Sequence, residues 1–307
     1  MGVLIGFAII VAVIGVGYLV GRFQLLGPHA DHVLSRLAFF VLSPALLFTV
    51  LAKADVAHLF SALLPISAIA AGIDIAAFLV VALLVWRRSL PEATVGALAS
   101  GYVNANNIGL PVSVYVLGDA SSSAPVILLQ LIVLAPIALT ILDVSTSGTL
   151  SLKRILLQPV RNPLIIGSLL GVIVAVTHVK IPVPVMAPFS LIGGAAVPVI
   201  LMSFGMSLHG SRVLAPGTNR KDVILASSLK LAAMPAIAWV LGTFVWHLEG
   251  HRLFVVVVLA ALPTAQNVFN YAQRYDRGVT MARDTVLITT ALSIVALVII
   301  AALLAPG

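Results

Sequence analysis

The sequence has no cysteine and few charged residues. The absence of cysteine excludes disulfide bonds, thiolate nucleophiles and cysteine-ligated metals. Charged residues make up 9% of the chain, whereas a soluble domain carries roughly 25% because its surface faces water. No glycine-rich loop of the Walker A type is present either, which excludes ATP-driven transport within this chain. These absences argue against a soluble globular protein and indicate that much of the surface faces hydrocarbon.

Apolar residues make up 61% of the chain and fall in runs long enough to cross a membrane. Charge, proline or glycine bounds ten such runs, at 2–21, 33–52, 57–86, 92–117, 124–142, 160–178, 185–208, 222–247, 252–275 and 284–305. The first run lacks a basic leading segment and is longer than a signal-peptide core, so we expect a retained helix. The third run is long for one helix, and we expect tilt or a bend at Pro65 to accommodate it.

Basic residues are distributed unevenly between the loops that join these ten runs. Thirteen follow odd-numbered runs, namely Arg22, Arg36, Arg87, Arg88, Lys153, Arg154, Arg161, Arg212, Arg220, Lys221, Arg274, Arg277 and Arg283. Three follow even-numbered runs, namely Lys53, Lys180 and Arg252. Because lysine and arginine accumulate in cytoplasmic loops, we predict a multi-pass protein of the cell (inner) membrane with both termini on the non-cytoplasmic side. The net charge of +7 then reflects these loops rather than a nucleic-acid-binding surface.

A polar segment at 143–159 divides the chain into two halves of five runs each, 1–142 and 160–307. Because five is odd, the second half enters the membrane from the opposite side, and halves of one fold are then inverted repeats. The segment 43–49 resembles 197–203, 154 residues later, and Pro111 and Pro263 lie 152 residues apart. We therefore predict an all-α integral membrane fold of ten transmembrane helices in two inverted five-helix repeats, with 143–159 as a cytoplasmic linker.

The fourth and ninth runs contain residues that disfavour a continuous helix near the middle of the bilayer. In the fourth run these residues are Asn104, Asn106, Asn107, Gly109 and Pro111; in the ninth they are Pro263, Gln266, Asn267 and Asn270. If only one run had this composition, hydrogen bonds from asparagine side chains to neighbouring helices would explain it. Two at matching positions predict a pair of broken helices with a substrate-binding site between them, where half-helix N-termini favour a carboxylate.

Two charged residues are predicted to lie deep in the membrane, Asp74 in the third run and Lys230 in the eighth. Intramembrane charges are costly and face a cavity or a partner. One interpretation makes Asp74 a proton-coupling carboxylate with the polar neighbour Gln130, while Lys230 neutralises an anionic substrate or orients the ninth run. The other interpretation is a structural or water-linked ion pair.

The motif Asn104-x-x-x-x-Gly109-x-Pro111 resembles the N-x-x-x-x-G-x-P signature of the auxin efflux carrier family, which includes bacterial permeases and the plant PIN auxin carriers. Segments 205–208, 230–235 and 262–275 resemble the family's motifs in its seventh, eighth and ninth spans. The resemblance covers nearly the whole chain in order and spacing.

The resemblance implies a fold similar to that of bile-acid sodium symporters, with broken helices 4 and 9 crossing. It implies a scaffold domain of helices 1, 2, 6 and 7 and a transport domain of helices 3–5 and 8–10. Family substrates are organic anions, such as auxin in plants and malate or malonate in bacteria. Carried onto this chain, the residues that line the crossing are Asn104, Pro111, Pro263 and Asn267, with Asp74 and Gln130 as support. The chain lacks the long cytoplasmic loop of some plant members, so auxin is not assigned.

We therefore expect a secondary active transporter or facilitator of small organic anions, working by an elevator or rocking motion, and not an enzyme. A sodium-coupled organic-anion symporter and a non-transporting membrane receptor or sensor are the alternatives. The expected partners are an organic anion and the lipid bilayer, with a homodimer left open. No cofactor or metal is expected, since His247 and His251 lie in a loop without a further ligand. The pairs Gly17–Gly21 and Gly167–Gly171 predict close helix packing.

Overall fold

The computed structural model describes residues 2–55, 62–147, 161–207 and 219–305. Within these residues the chain is helical, with one isolated bridged pair and no strand, which confirms the all-α prediction there. Twelve helices follow in order within the described ranges: α1 Gly2–Arg22, α2 Ala30–Leu51, α3 Leu63–Val85, α4 Leu90–Gly101, α5 105–115, α6 120–147, α7 Pro163–Thr177, α8 Val183–Ser207, α9 Arg220–Val245, α10 Gly250–Ala260, α11 Gln266–Tyr275 and α12 Val279–Leu304.

Six of these helices are long and apolar enough to cross a membrane by length and composition, within the described part of the chain. They are α2, α3, α6, α8, α9 and α12, and shorter apolar helices lie in α1, α7 and α10. The fourth predicted run is divided into α4 and α5, and the ninth into α10 and α11. The total of ten spans stays a prediction.

Pro65 does not bend the third run. The helix α3 begins at Leu63, so Pro65 lies in its first turn, where backbone N–H groups have no partner within the helix. Of the two alternatives, tilt or a bend at Pro65, the described helix shows no bend after Pro65, and tilt stays a prediction. Residues 57–61 of that run lie outside the described residues.

The segment expected as a cytoplasmic linker begins inside a helix. Helical structure continues to Ser147, and the Tyr275 hydroxyl donates a hydrogen bond to the Asp143 carboxylate at 2.7 Å. Residues 148–160 lie outside the described residues. The first five residues of 143–159 therefore extend α6.

Four helices contain a widened π-helical turn directly before a proline. These turns are 38–42 in α2, 105–109 in α5, 130–134 in α6 and 229–233 in α9, and the prolines two residues later are Pro44, Pro111, Pro136 and Pro235. Proline lacks an N–H, and its ring clashes with the carbonyl four residues earlier. A π-helical turn changes the hydrogen-bond partner and removes that conflict. These four prolines therefore sit in helices that continue past them.

The described residues form two compact units, and each unit draws on both halves of the chain. The first comprises the described residues within 1–61, 106–128 and 157–211. The second comprises those within 62–105, 129–156 and 212–307.

In the first unit, glycines allow helices to pack at close range. A Cβ at Gly17 of α1 would overlap the main chain of Met202 in α8. A Cβ at Gly171 of α7 would lie 2.8 Å from the Phe48 carbonyl oxygen of α2. Cβ atoms at Gly21 and Gly167 would also crowd backbone atoms. The prediction of close packing at these glycine pairs is confirmed.

Two of these contacts are related by one interval along the chain. Gly171 follows Gly17 by 154 residues, and Met202 follows Phe48 by the same 154 residues. This is also the interval between the similar segments 43–49 and 197–203. The contact of α1 with α8 is therefore repeated by the contact of α7 with α2, and in the repeat the glycine comes from the second half of the chain instead of the first.

The second unit repeats a local structure at an interval of 160 residues. Both α3 and α9 end in a π-helical turn, Val81–Val85 and Leu241–Val245. The N–H of the following tryptophan donates to the first residue of that turn at 3.0 Å in both cases, Trp86 to Val81 and Trp246 to Leu241. The interval of 152 residues between Pro111 and Pro263 does not belong to this repeat, since Pro111 lies inside α5 and Pro263 lies in a break.

Candidate functional site at a backbone crossing

Two short non-helical segments meet in the second unit. One, 102–104, lies between α4 and α5, and the other, 261–265, lies between α10 and α11. The Asn104 N–H donates to the Pro263 carbonyl at 2.7 Å, and the Ala265 N–H donates to the Tyr102 carbonyl at 2.9 Å. Val103 and Thr264 thus form an antiparallel bridge. Each break satisfies backbone groups of the other, so neither one could be stable alone.

Side chains satisfy carbonyl groups that the breaks leave free at the ends of α4 and α10. The Thr264 hydroxyl donates to the Ala99 carbonyl at 2.6 Å, and the Lys230 ammonium donates to the Ala260 carbonyl at 2.9 Å. The Thr264 N–H in turn donates to Thr289 Oγ1 of α12 at 3.1 Å. The last carbonyls of a helix have no partner within it. These bonds therefore supply what the interrupted helices lack.

Asn104 belongs to the first break, and Gln130 reaches it from α6. The Gln130 side-chain amide donates to the Val103 carbonyl at 3.0 Å, and both Asn104 and Gln130 are buried. Gln130 is the first residue of the π-helical turn in α6. The structure therefore brings these two predicted site residues to the same break.

The helix α11 begins at Gln266, directly after the second break. Pro263 is buried, Gln266 and Asn267 are half-buried, and Asn270 is exposed. A helix N-terminus carries partial positive charge and free N–H groups, which favour an anion. The start of α11 therefore combines a positive helix end with two amide side chains.

Four further predicted residues, Asn106, Asn107, Gly109 and Pro111, belong to the first unit. Asn106 Nδ2 donates to Asn107 Oδ1 at 2.8 Å, and Asn106 Oδ1 is buried without a partner in the described residues. Gly109 and Pro111 are buried within α5. The fourth run is broken at 102–104, seven residues before Pro111. The break thus includes Asn104, the first residue of the predicted cluster, whereas the helix continues through the rest of the cluster because the π-helical turn accommodates Pro111.

Asp74 and Lys230 are both fully buried, each with 0% of its surface exposed. They lie on α3 and on the π-helical turn of α9, which pack against each other. The described residues show no ion pair between the two side chains within 4.0 Å. Lys230 also donates to Met234 Sδ. Both carboxyl oxygens of Asp74 lack a hydrogen-bond partner among the described residues.

Sequence reasoning missed the residues that hold the crossing together. Thr264 and Thr289 each make a hydrogen bond there, and Ser100 binds the Asp74 carbonyl through its hydroxyl at 3.2 Å. A visible pattern could have found part of this network. Thr285, Thr289 and Ser293 recur at four-residue spacing in an apolar helix and are all buried, which places their hydroxyls on one inward face.

No group of three histidine, cysteine, aspartate or glutamate side chains able to hold a metal occurs among the described residues. The crossing instead offers amides, hydroxyls, backbone groups and the Asp74–Lys230 pair. Such a site suits reversible binding of a polar ligand. It presents no nucleophile paired with a base.

The sequence matches the family model described as "Membrane transport protein" over residues 3–148 and 144–301. It is 25% identical to a "Putative malonate transporter" of Rhizobium meliloti (strain 1021) over 289 residues, covering 91% of this chain and 88% of the relative. It is 27% identical to an "Uncharacterized transporter" of Methanothermobacter thermautotrophicus (strain ATCC 29096 / DSM 1053 / JCM 10044 / NBRC 100330 / Delta H) over 285 residues, covering 92% and 91%. The family matches span nearly the whole chain, which confirms the predicted relationship and makes the protein a membrane transporter rather than an enzyme. The chain therefore belongs to the membrane transport protein family.

Proposed function

We propose that this protein carries small organic anions, such as malonate or malate, across the cell membrane by alternating access. The observation that carries the proposal is the crossing of two broken helices, because paired interrupted helices form the substrate site in transporters built from inverted repeats. The name of the Rhizobium relative is consistent with a dicarboxylate.

The two halves of the chain are proposed to be inverted repeats that together make ten spans. The interval of 154 residues in the first unit and that of 160 residues in the second support this, since each relates segments of the two halves. The excess of basic residues after odd-numbered runs supports the same arrangement, with both termini outside.

Anion binding is proposed at the start of α11. Its N-terminal end favours negative charge, and the side chains of Asn104, Gln266 and Asn267 can donate hydrogen bonds to carboxylate oxygens. Asp74, Gln130 and Lys230 are proposed to stabilise the crossing without binding the anion themselves. The second unit, which holds these residues, acts as the transport domain and the first as the scaffold, in an elevator or rocking motion.

The test is uptake of radiolabelled malonate and malate into liposomes that contain the purified protein, with and without an imposed potassium diffusion potential. We expect uptake by the wild type and a loss of at least about tenfold for Asn104→Ala and Asn267→Ala, since a hydrogen bond to a charged group contributes about 1.5–3 kcal/mol. Asn219→Ala is the matched control because Asn219 is exposed at the start of α9. It should transport like the wild type.

Three results would count against this carrier. If no organic anion is bound or moved, the carrier assignment fails. Saturable binding without flux would favour a receptor or sensor. Flux that requires sodium in the wild type would favour a sodium-coupled symporter.

A further inference from the structure

Lys230 occupies an unusual position for a buried lysine. Its ammonium is fully buried, lies near the middle of α9, and donates to the carbonyl of Ala260, the last residue of α10, at 2.9 Å. A helix C-terminus carries partial negative charge. Half-helix C-termini and unwound carbonyls are also the groups that hold coupling cations in transporters with broken helices.

Asp74 supplies the second part of this environment. Its carboxyl group is fully buried, and neither oxygen has a hydrogen-bond partner among the described residues. Asp74 lies on α3, which packs against α10 and against the π-helical turn of α9 that carries Lys230. A buried carboxylate without a compensating charge would be costly. The surroundings of Lys230 thus include a helix-end carbonyl and a neighbouring helix with a buried carboxyl group, and oxygen atoms of these two kinds are ligands that a small cation prefers.

We propose that the Lys230 ammonium is a tethered cation that fills the place a free monovalent cation would take at the end of α10. The positive charge needed to hold α10, Asp74 and the crossing together is thus part of the chain. Transport then proceeds without sodium or any other free metal cation. This inference rests on the proposed carrier function only for its transport readout, because the binding of a cation can be measured separately.

Two substitutions at this position separate charge from volume. Lys230→Ala removes the ammonium and leaves a space the shape of n-propylammonium, whereas Lys230→Met removes the charge but fills the space. Lys221→Ala is the matched control, since Lys221 is exposed on the same helix. The probes are n-propylammonium and sodium, with choline as a cation too large for the space.

Melting temperature in detergent is the first measurement. We expect Lys230→Ala to melt below the wild type and to gain at least about 2 °C in 100 mM n-propylammonium or sodium relative to choline, because a ligand of the folded state raises its stability. The wild type, Lys230→Met and Lys221→Ala should show no such cation-specific gain.

Anion uptake is the second measurement. We expect Lys230→Ala to lose at least about tenfold of its uptake in choline and to recover part of it in n-propylammonium or sodium.

Three results would overturn the proposal. The first is that Lys230→Ala melts and transports like the wild type in choline. The second is that Lys230→Ala is folded but neither n-propylammonium nor sodium changes its melting temperature or its transport. The third is that the wild type needs sodium for transport.

If Lys230→Ala cannot be purified, the double variant Asp74→Asn/Lys230→Ala is made instead, because it also lacks the carboxylate that requires a cation. Recovery of the folded double variant would then support the proposal, and equal failure of both variants would overturn it. If the wild type moves no anion, the melting shifts still decide the cation question, so the two failures remain distinguishable.

Discussion

Thr264 makes two different kinds of bond in the second unit. Its hydroxyl donates to the carbonyl of Ala99 in α4, while its backbone N–H donates to Thr289 of α12. One residue thus links a break, a half-helix and a long helix. Its role depends on position, since a threonine elsewhere in an apolar helix usually bonds only to its own helix.

Replacement of Thr264 by valine keeps the shape of the side chain and removes the hydroxyl. The Ala99 carbonyl would then be buried without this partner, at a cost of about 1–3 kcal/mol. We expect a lower melting temperature in detergent and slower anion uptake. Thr177→Val is the control, because the Thr177 hydroxyl bonds to its own helix at an exposed position. An equal effect of both substitutions would show that the crossing does not depend on this bond.

At the scale of the residue, the sequence allowed burial to be predicted better than hydrogen bonding. The central positions of Asp74 and Lys230 followed from counting residues to the charged ends of an apolar run, because helical rise is constant. The partners of Lys230 did not follow, since a backbone carbonyl such as that of Ala260 leaves no mark on the sequence. Threonine at position 264 was visible, but its bonds depend on how the two breaks meet.

Two prolines in the described helices are accommodated in different ways. Pro163 is the first residue of α7, where its missing N–H costs nothing. Pro136 instead follows a π-helical turn inside α6, and that turn begins at Gln130, whose amide binds the Val103 carbonyl. The π-helical turn therefore also sets the direction of a side chain at the crossing.

The substitution Pro136→Ala tests this link between backbone and site. Alanine restores the missing N–H and removes the clash, so the turn can close to a regular α-helix and rotate Gln130 away from Val103. We expect anion uptake to fall severalfold while the protein stays folded, as measured by uptake and melting temperature. Pro163→Ala should behave like the wild type. Unchanged uptake by Pro136→Ala would show that Gln130 is held by something other than the turn.

Close packing of α1 against α8 gives a second test at this scale. Gly17→Ala would place a Cβ against the Met202 main chain, whereas a Cβ at Gly15 of the same helix meets nothing within 4 Å. We expect Gly17→Ala to melt several degrees lower. Gly15→Ala should melt at the same temperature or slightly higher, because alanine in a helix is favoured over glycine by roughly 0.5–1 kcal/mol. Equal melting of the two variants would contradict the packing described for α1 and α8.

The sequence allowed prediction of which runs are interrupted but not where. The asparagine, glycine and proline cluster in the fourth run correctly indicated a break, yet the break at 102–104 contains only Asn104 of that cluster. Proline in a membrane helix can be accommodated by a local π-helical adjustment instead of a break, and neighbouring helices help to satisfy the freed backbone groups. In the ninth run Pro263 does lie in the break, because there its carbonyl pairs with the Asn104 N–H.

Orientation in the membrane can be tested on the whole molecule because the chain contains no cysteine. Single cysteines can be introduced at four exposed positions without a background signal. We expect Lys180→Cys and Glu249→Cys to react with a membrane-impermeant maleimide added to intact cells. Arg87→Cys and Arg277→Cys should react only after the membrane is opened, because their loops follow odd-numbered runs. The opposite labelling pattern would invert the topology, and a mixed pattern would contradict the count of ten spans.

Part of the crossing is made by backbone atoms rather than by side chains. Two of its hydrogen bonds join backbone N–H and carbonyl groups, and these bonds do not change when a side chain is replaced. Residues beside the crossing can therefore vary during evolution while these two backbone bonds are kept. A family with this architecture can acquire new cargo through a few neighbouring substitutions, without first having to evolve a new fold.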